Sequence, residues 1–249
     1  MGFGDELMAV GQARKMNETD PRRVQIFDRF GAARWHPVFE NNSRLARPGE
    51  EGDFQQLHNG PGNRPYILGK ADDHWTWRDF ECTPGEIFFT QAEKQFASAY
   101  RPQIIIEPTL KSRASPNKQW GLERWQQFAK LAKKAGYGLT QLGAPGTRPL
   151  QYANMISTPD FRHAAAVLAN AKAYVGHEGG LHHAAAALGI PAVVIFGGFI
   201  SPAQTGYAIH RNLYAGGTPC GNRTPCEHCK AAMAAITPQH VLNELMRIL

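Results

Sequence analysis

From residue 103 to the end of the chain, short apolar runs alternate with longer segments of helical periodicity. The runs lack the polar alternation of a half-exposed strand, which indicates strands buried in a parallel sheet at residues 103–107, 137–142, 173–176 and 192–196. Helices are predicted at residues 122–135, 159–170, 181–188 and 238–249, the last with Thr237 as its N-cap. Right-handed crossovers between such strands give a doubly wound, Rossmann-type sheet.

The first hundred residues have a weaker pattern and are rich in Gly, Pro, Asn and aromatic residues. Strands are predicted at residues 24–28 and 86–90, and helices at residues 5–15 and 91–100. A chain of 249 residues is short for two full-sized α/β domains. We therefore expect an α/β protein with a reduced α/β domain at residues 1–101 and a full domain at residues 102–249.

The formal charge of +6 and the pI near 9.2 favour polyanionic partners such as nucleotide phosphates, nucleic acid or a phosphorylated glycolipid. The basic residues are scattered, however, so nucleic-acid binding is one alternative among several. No stretch approaches the ~18 apolar residues of a membrane span, and the first residues do not resemble a secretory signal. The expectation is a cytoplasmic protein without a transmembrane segment.

Two loops are predicted at the carboxyl edge of the sheet, where ligands bind to open α/β folds. In residues 174–183, a strand ends and a helix begins at Gly179 and Gly180, so a diphosphate could approach the free N–H groups of the helix. The alternative is a tight turn that needs glycine only for its geometry. The other loop, residues 111–120, has cations and short donors suited to a diphosphate, namely Arg113, Ser115, Asn117 and Lys118. The alternative is that these residues form an ordinary solvated surface.

Three motifs follow one another in this half of the chain: residues 117–125 (NKQWGLERW), 177–183 (HEGGLHH) and 189–197 (GIPAVVIFG). In their order and over residues ~103–249, they resemble glycosyltransferase family 9, the ADP-heptose:lipopolysaccharide heptosyltransferases. The resemblance implies a GT-B-like arrangement of two Rossmann-type domains, here with a shortened N-terminal one. It also implies a nucleotide-diphosphate sugar as donor, most often an ADP-sugar.

The resemblance also implies roles for individual residues. Lys118 corresponds to the lysine that holds the donor diphosphate, and Glu178 takes the place of the family's aspartate that contacts the donor sugar. The other donor-side positions are the helix start and motif histidines and the loop that resembles the base-binding loop (residues 143–147, GAPGT), namely His177, Gly179, Gly180, Leu181, His183, Gly143 and Ala144. That loop lacks the acidic residue often found there in the family.

Near the N-terminus, residues 2–8 (GFGDELM) are similar to the family's acceptor-side loop. The resemblance makes Asp5 the general base on the acceptor hydroxyl, as a carboxylate beside a glycine-rich turn can be. An N-capping or solvated carboxylate is the alternative for Asp5.

A cysteine cluster lies in residues 220–229 (CGNRTPCEHC). Thiolates of Cys220, Cys226 and Cys229 could surround a structural zinc or iron, with His228, His210 or Cys82 as fourth ligand. Some heptosyltransferases that modify proteins carry a cysteine-bound iron, which this cluster resembles. Free cysteines are the alternative.

Other candidate residues favour structural roles. His177, His182 and His183 invite a metal-site interpretation, but adjacent helical side chains point ~100° apart, which favours supporting roles. The aromatic side chains that could stack on a sugar or base are expected to pack in the core instead: Trp35, Phe39, Trp75 and Trp77.

The combined hypothesis is an inverting glycosyltransferase that moves a heptose-like or hexose sugar from a nucleotide-diphosphate donor to an acceptor hydroxyl. Catalysis requires no cofactor in this scheme. The sequence leaves the acceptor open between a glycolipid, a protein and a nucleic acid. It also leaves open a non-catalytic module that binds nucleotide sugars or nucleic acid, and a sugar transferase acting on DNA or another polyanion.

Overall fold

The computed structural model describes residues 2–60, 64–111, 114–144 and 146–249 of the chain. Its strands are β1 Val24–Phe27, β2 Leu45–Ala46, β3 Gln55–His58, β4 Ile67–Lys70, β5 Trp75–Trp77, β6 Ile104–Glu107, β7 Leu139–Gly143, β8 Ala153–Ser157, β9 Ala173–His177, β10 Ala192–Gly197 and β11 His210–Tyr214. Its helices are α1 Phe3–Met16, α2 Gln91–Ser98, α3 Leu122–Lys134, α4 Phe161–Leu168, α5 Gly180–Ala187, α6 Pro202–Thr205, α7 Glu227–Ala235 and α8 Pro238–Ile248. None of the helices in these ranges combines the length and apolar character needed to cross a membrane.

The main sheet has six strands in the order β11-β10-β9-β6-β7-β8, and every neighbouring pair is parallel. From β6 the chain winds outward through β7 and β8, then returns to β9 and winds the other way through β10 and β11. The loops after β6 and β9 therefore leave the sheet in opposite directions and open a crevice at its carboxyl edge. This arrangement confirms the mixed α/β, Rossmann-type sheet expected from the sequence.

Successive side chains of each strand point to opposite faces of the main sheet, and both faces are covered by hydrophobic clusters. Ile104 and Ile106 belong to a hydrophobic cluster with side chains of α3 and α8, whereas Ile105 belongs to a second cluster on the other face. That second cluster continues into the N-terminal part of the chain through Leu7, Val10, Val24, Ile26 and Phe39. The N-terminal segment thus packs against the large sheet.

The N-terminal segment contains a small parallel sheet in the order β2-β1-β3 and an antiparallel hairpin of β4 and β5. Helix α1 starts within the first residues and is largely buried, so the beginning of the chain is packed against the fold. The division at residues 101 and 102 falls in the connection before β6 and stays a prediction.

The four strands predicted in the second half are confirmed as β6, β7, β9 and β10, and the predicted helices as α3, α4, α5 and α8. In the first half, β1, α1 and α2 are also confirmed. The strand predicted at residues 86–90 is wrong, because this segment pairs with no strand in the described structure. Its Phe88 carbonyl instead accepts a hydrogen bond from Arg162 Nη2 at 2.7 Å.

Candidate functional site

The crevice between the loops after β6 and β9 brings Lys118 and Glu178 together. Lys118 ends a short 3₁₀ helix, Pro116–Lys118, that begins with Ser115 as its N-cap. Glu178 follows β9 directly and precedes Gly179, the N-cap of α5. Sixty positions separate the two residues, yet Lys118 Nζ donates a hydrogen bond to Glu178 Oε2.

The Lys118–Glu178 pair is a largely buried ion pair that still reaches solvent on the lysine side. The Lys118 side chain is 19% exposed and that of Glu178 is 7% exposed. Burial raises the pKa of Glu178, but the Lys118 charge and the nearby His183 ring outweigh burial and hold this pKa well below its usual range. Glu178 is therefore an anion that fixes the direction of the Lys118 ammonium.

His183 lies between the Glu178 carboxylate and the Tyr207 hydroxyl. Its Nε2 lies 3.7 Å from Glu178 Oε1, and its Nδ1 is hydrogen-bonded to the Tyr207 hydroxyl at 2.8 Å. Helix α1 closes over the same ring: a Cβ on Gly4 would lie 2.5 Å from His183 Cδ2. The N-terminal helix is thus in contact with the motif histidine of α5.

This close approach predicts that Gly4→Ala destabilises the protein. Overpacking a buried contact costs about 1–3 kcal/mol, which exceeds the roughly 0.5–1 kcal/mol that alanine gains over glycine within a helix. We expect a lower melting temperature and a smaller free energy of unfolding in urea. The double variant Gly4→Ala, His183→Ala removes the clash, so its loss should be smaller than the sum of the two single losses. A Gly4→Ala protein as stable as wild type would contradict the packing.

The other two histidines of this motif, His177 and His182, face the protein interior. Trp120 N donates to His177 Nε2 at 3.0 Å, and burial lowers the pKa of His177 to about 3. The ring of His177 thus supports the Trp120 backbone rather than presenting this nitrogen to a ligand. Among the described residues, neither ring nitrogen of His182 has a hydrogen-bond partner, and burial lowers its pKa well below its usual range.

The nitrogens of His182 and His183 do not diverge as expected for adjacent helical positions. Together with a Glu178 oxygen they lie within 4.8 Å of one another, close enough to hold a metal ion. The ammonium of Lys118 already neutralises Glu178 there, so this group has its cation. The supporting roles expected for these histidines stay a prediction.

The other donor-side candidates divide into three groups. Gly143 and Ala144 lie at the carboxyl end of β7, beside the crevice, and Gly179 and Gly180 begin α5. Leu181 is buried in the first turn of α5. Arg113 lies outside the described residues. Contact of any of these residues with a donor stays a prediction.

The side chains of Ser115 and Asn117 are hydrogen-bonded to the cysteine segment, residues 220–229. Ser115 Oγ donates to Asn222 O at 3.1 Å, and Asn117 Nδ2 donates to the carbonyls of Asn222 and Thr224 at 2.8 and 2.7 Å. Asn117 Oδ1 accepts from Cys226 N at 3.1 Å. The short polar groups predicted to orient phosphate oxygens are therefore engaged by backbone in this structure.

Asp5 is an ordered, buried carboxylate in the first turn of α1. Tyr66 OH donates to its Oδ1 at 2.5 Å, and Gly2 N donates to its Oδ2 at 3.2 Å. Arg64 Nη2 lies 3.2 Å from the same Oδ2. Of the two alternatives for Asp5, the solvated carboxylate is wrong, because Asp5 is only 9% exposed. The capping interaction is present, because the bond from Gly2 N is that of a capping box at the start of α1.

Aromatic side chains form the wall under Lys118. Lys118 Nζ lies 5.3 Å from the centroid of the Phe199 ring, which favours the ammonium electrostatically. Trp77 packs edge-on against Phe199, with centroids 5.2 Å apart, and its Nε1 donates to Phe199 O at 3.2 Å. Trp75 also belongs to this wall, which fits the packing role expected for the tryptophans.

The cysteine segment folds into a compact group of ligand atoms. The thiols of Cys220, Cys226 and Cys229 and a ring nitrogen of His228 lie within 4.8 Å of one another. Cys220 Sγ is 3.8 Å from Cys226 Sγ, the separation that Zn–S bonds of ~2.3 Å give in a tetrahedron, and 3.1 Å from Cys229 Sγ.

His228 completes this group in the manner of a metal ligand. Its Nε2 lies 2.6 Å from the Gly216 carbonyl, and its Nδ1 lies 3.8 Å from Cys229 Sγ. A carbonyl bonded to one ring nitrogen fixes the tautomer and leaves the other nitrogen free to bind a metal. The described residues thus select His228 as fourth ligand, since Cys82 donates to Gln204 O and His210 packs beside His182. These four residues fit a tetrahedral zinc or iron.

Sequence comparison identifies the family. The family profile described as glycosyltransferase family 9 (heptosyltransferase) matches residues 85–234, more than half of the chain. No curated protein sequence matches the chain.

Solved structures show the same fold at low sequence identity. The glycosyl transferase family 9 protein of Veillonella parvula is 13% identical, with the match covering all of this chain and 94% of that one at a TM-score of 0.67. The iron-containing dodecameric glycosyltransferase TibC of enterotoxigenic E. coli is 14% identical, covering 100% and 74% at a TM-score of 0.65.

The E. coli ADP-heptose lps heptosyltransferase II is 22% identical over 66% of this chain, with a TM-score of 0.50. The match spans only 53% of that protein's length. With the family match over residues 85–234 and the shared GT-B-like fold, this chain belongs to glycosyltransferase family 9.

Proposed function

We propose that this protein transfers a sugar from a nucleotide-diphosphate donor, with an ADP-sugar favoured, to an acceptor hydroxyl. The observation that carries the proposal is the Lys118–Glu178 ion pair at the switch point of the parallel sheet, beside the start of α5. Ligands of open α/β sheets bind at this crevice. Family membership and the ADP-heptose substrate in the name of the E. coli relative support the choice of donor.

In this proposal Lys118 binds the donor diphosphate. An ammonium has three N–H donors, and Glu178 takes one of them, which leaves two for phosphate oxygens. The N–H groups at the start of α5 supply further donors and a positive partial charge. Positive charge is thus concentrated where the leaving diphosphate becomes more negative during the reaction.

Glu178 contacts the donor sugar, and Asp5 serves as general base. The acceptor oxygen forms a bond to the anomeric carbon while the bond from that carbon to the diphosphate oxygen breaks on the opposite face. The acceptor proton passes to the Asp5 carboxylate, and the electron pair of the broken bond leaves on the diphosphate. Attack from the opposite face inverts the configuration. An acceptor hydroxyl must then replace the Tyr66 hydroxyl or the Arg64 guanidinium at Asp5.

The test is a panel of nucleotide sugars. Calorimetry should show binding of ADP and ADP-sugars, and donor turnover should appear with at least one ADP-sugar, measured as release of ADP. A protein that binds no nucleoside diphosphate at all would contradict the proposal.

One observation favours the alternative of a donor-binding module without turnover. Both carboxylate oxygens of Asp5 already have partners in the protein. This alternative predicts donor binding without release of ADP, so the same panel separates it from the transferase.

We also propose that the four-ligand group holds a structural zinc or iron that contacts neither the donor nor the acceptor. A bound metal would join the segment of Cys220 and Cys226 to Cys229 in α7. Purified protein should contain about one zinc or iron per chain, and the double variant Cys226→Ser, Cys229→Ser should contain none. Elemental analysis measures both. Lys230→Ala, next to the cluster but without a ligand atom, should keep the metal, and metal-free wild type with full stability would contradict the site.

A further inference from the structure

The side-chain amide of Asn117 is buried, and three of its four possible hydrogen bonds go to residues 222–226 of the cysteine segment. It is 6% exposed, and its three side-chain bonds run to Cys226 N, Asn222 O and Thr224 O at 2.7–3.1 Å. Ser115 adds a fourth bond, from its hydroxyl to Asn222 O. The segment from Asn222 to Cys226 is therefore attached to the loop after β6.

The same segment ends at Cys226, one of the four candidate metal ligands, and directly follows the turn that carries another, Cys220. Cys226 is itself bonded to Asn117 through its backbone N–H, and Cys220 Sγ accepts from Asn222 N at 3.4 Å. The turn between Cys220 and Asn222 depends on Gly221, whose φ of +65° is left-handed. A metal held by the cluster would fix both cysteines, and with them the carbonyls that Asn117 binds.

On its other side Asn117 is joined to Lys118 by a single peptide bond. Both residues belong to the 3₁₀ turn in which Lys118 N donates to Ser115 O at 3.1 Å. A shift of the Asn222–Cys226 segment therefore moves the backbone of Lys118 relative to Glu178. No ligand of the metal cluster has to touch the donor for this to happen.

We propose that Asn117 is a positioning residue that couples metal binding at Cys220, Cys226, His228 and Cys229 to donor-diphosphate binding at Lys118. This inference rests on the proposed function of the Lys118 site and goes beyond it, since the metal acts on donor affinity through the protein. Thermodynamic linkage makes the coupling reciprocal: if the metal tightens ADP binding by some factor, ADP tightens metal binding by the same factor.

The experiment measures this factor from both sides. ADP affinity is determined by calorimetry for zinc-loaded protein and for protein stripped with a chelator. Zinc affinity is determined by chelator competition with and without saturating ADP. In wild type both ratios should agree and lie in the range of about 5–150-fold typical of coupled sites. In Asn117→Ala both ratios should fall to near one.

Asn170→Ala is the matched control. Asn170 is also an asparagine whose Nδ2 donates to two backbone carbonyls, Ala97 O and Tyr100 O at 2.9 and 3.3 Å, but it contacts neither site. It should lose comparable hydrogen bonds and keep the wild-type coupling factor. If Asn117→Ala does not fold, Asn117→Asp replaces it, because the aspartate keeps the acceptor for Cys226 N and loses both donated bonds.

The outcomes separate this inference from the proposed function. Wild type that binds ADP equally well with and without zinc overturns the coupling and leaves the donor site standing. If the coupling persists in Asn117→Ala or Asn117→Asp, it runs through another contact, and the positioning role of Asn117 is wrong. A wild type that binds neither ADP nor any other nucleoside diphosphate overturns both.

Discussion

Replacing Asp5 with asparagine is expected to lower sugar transfer by ~100-fold or more, the usual contribution of acid–base catalysis. An amide has nearly the same shape as the carboxylate and keeps an acceptor for Tyr66 OH, but it cannot take up the acceptor proton. ADP affinity should stay unchanged, because Asp5 belongs to α1 and not to the loops after β6 and β9. The measurement is kcat for transfer or donor hydrolysis at saturating donor, with calorimetry for ADP.

Glu6→Gln is the control for loss of an ion pair in the same helix turn. Glu6 is fully buried and pairs with Arg34 through two hydrogen bonds of 3.0 and 2.5 Å. Its loss should reduce stability at least as much as the loss of Asp5, yet leave the rate per folded molecule intact. If Asp5→Asn transfers sugar at the wild-type rate while donor binding persists, Asp5 is not the base.

The sequence was sufficient for the central strands of the fold and insufficient for its edges. Strands β6, β7, β9 and β10 lie inside the sheet, where burial on both faces selects uninterrupted apolar runs. Strands β8 and β11 are the two edge strands, and their half-exposed sequences (ANMIS and HRNLY) lack such runs. Residues 86–90 (EIFFT) have the apolar pattern of a strand, but this pattern does not show whether a neighbouring strand or, as here, Arg162 donates to the Phe88 carbonyl.

The candidate site divides along a similar line. The meeting of Lys118 and Glu178 could be predicted, because the carboxyl ends of parallel strands meet at one sheet edge. The partners of Asp5 and His183 could not: Tyr66 lies 61 positions from Asp5, and Tyr207 lies 24 positions from His183. Ser115 and Asn117 show the limit of residue chemistry, since the groups that suit phosphate oxygens suit backbone carbonyls and N–H groups equally well.

Replacing Lys118 with alanine is expected to weaken ADP binding by about 1–3 kcal/mol, roughly 5–150-fold, the value of a lost charge-assisted hydrogen bond. The structure adds a second reason for the loss. Without the ammonium, the buried Glu178 carboxylate has no cation, and its negative charge faces the diphosphate. The pKa of Glu178 should rise in this variant, because burial is then opposed only by His183. Calorimetry of ADP binding measures the loss, and Lys130→Ala, an exposed lysine of α3, controls for the change in net charge.

Glu178→Gln separates the two contributions. It removes the negative charge beside the diphosphate and leaves Lys118 in place, so ADP should bind at least as tightly as to wild type. The preference for an ADP-sugar over ADP should decrease, because the proposed sugar contact is lost. If Glu178→Gln instead weakens ADP as much as Lys118→Ala, the carboxylate acts mainly by directing the ammonium. If Lys118→Ala binds ADP as tightly as wild type, the diphosphate does not lie at this ion pair, and the placement of the donor in the crevice is wrong.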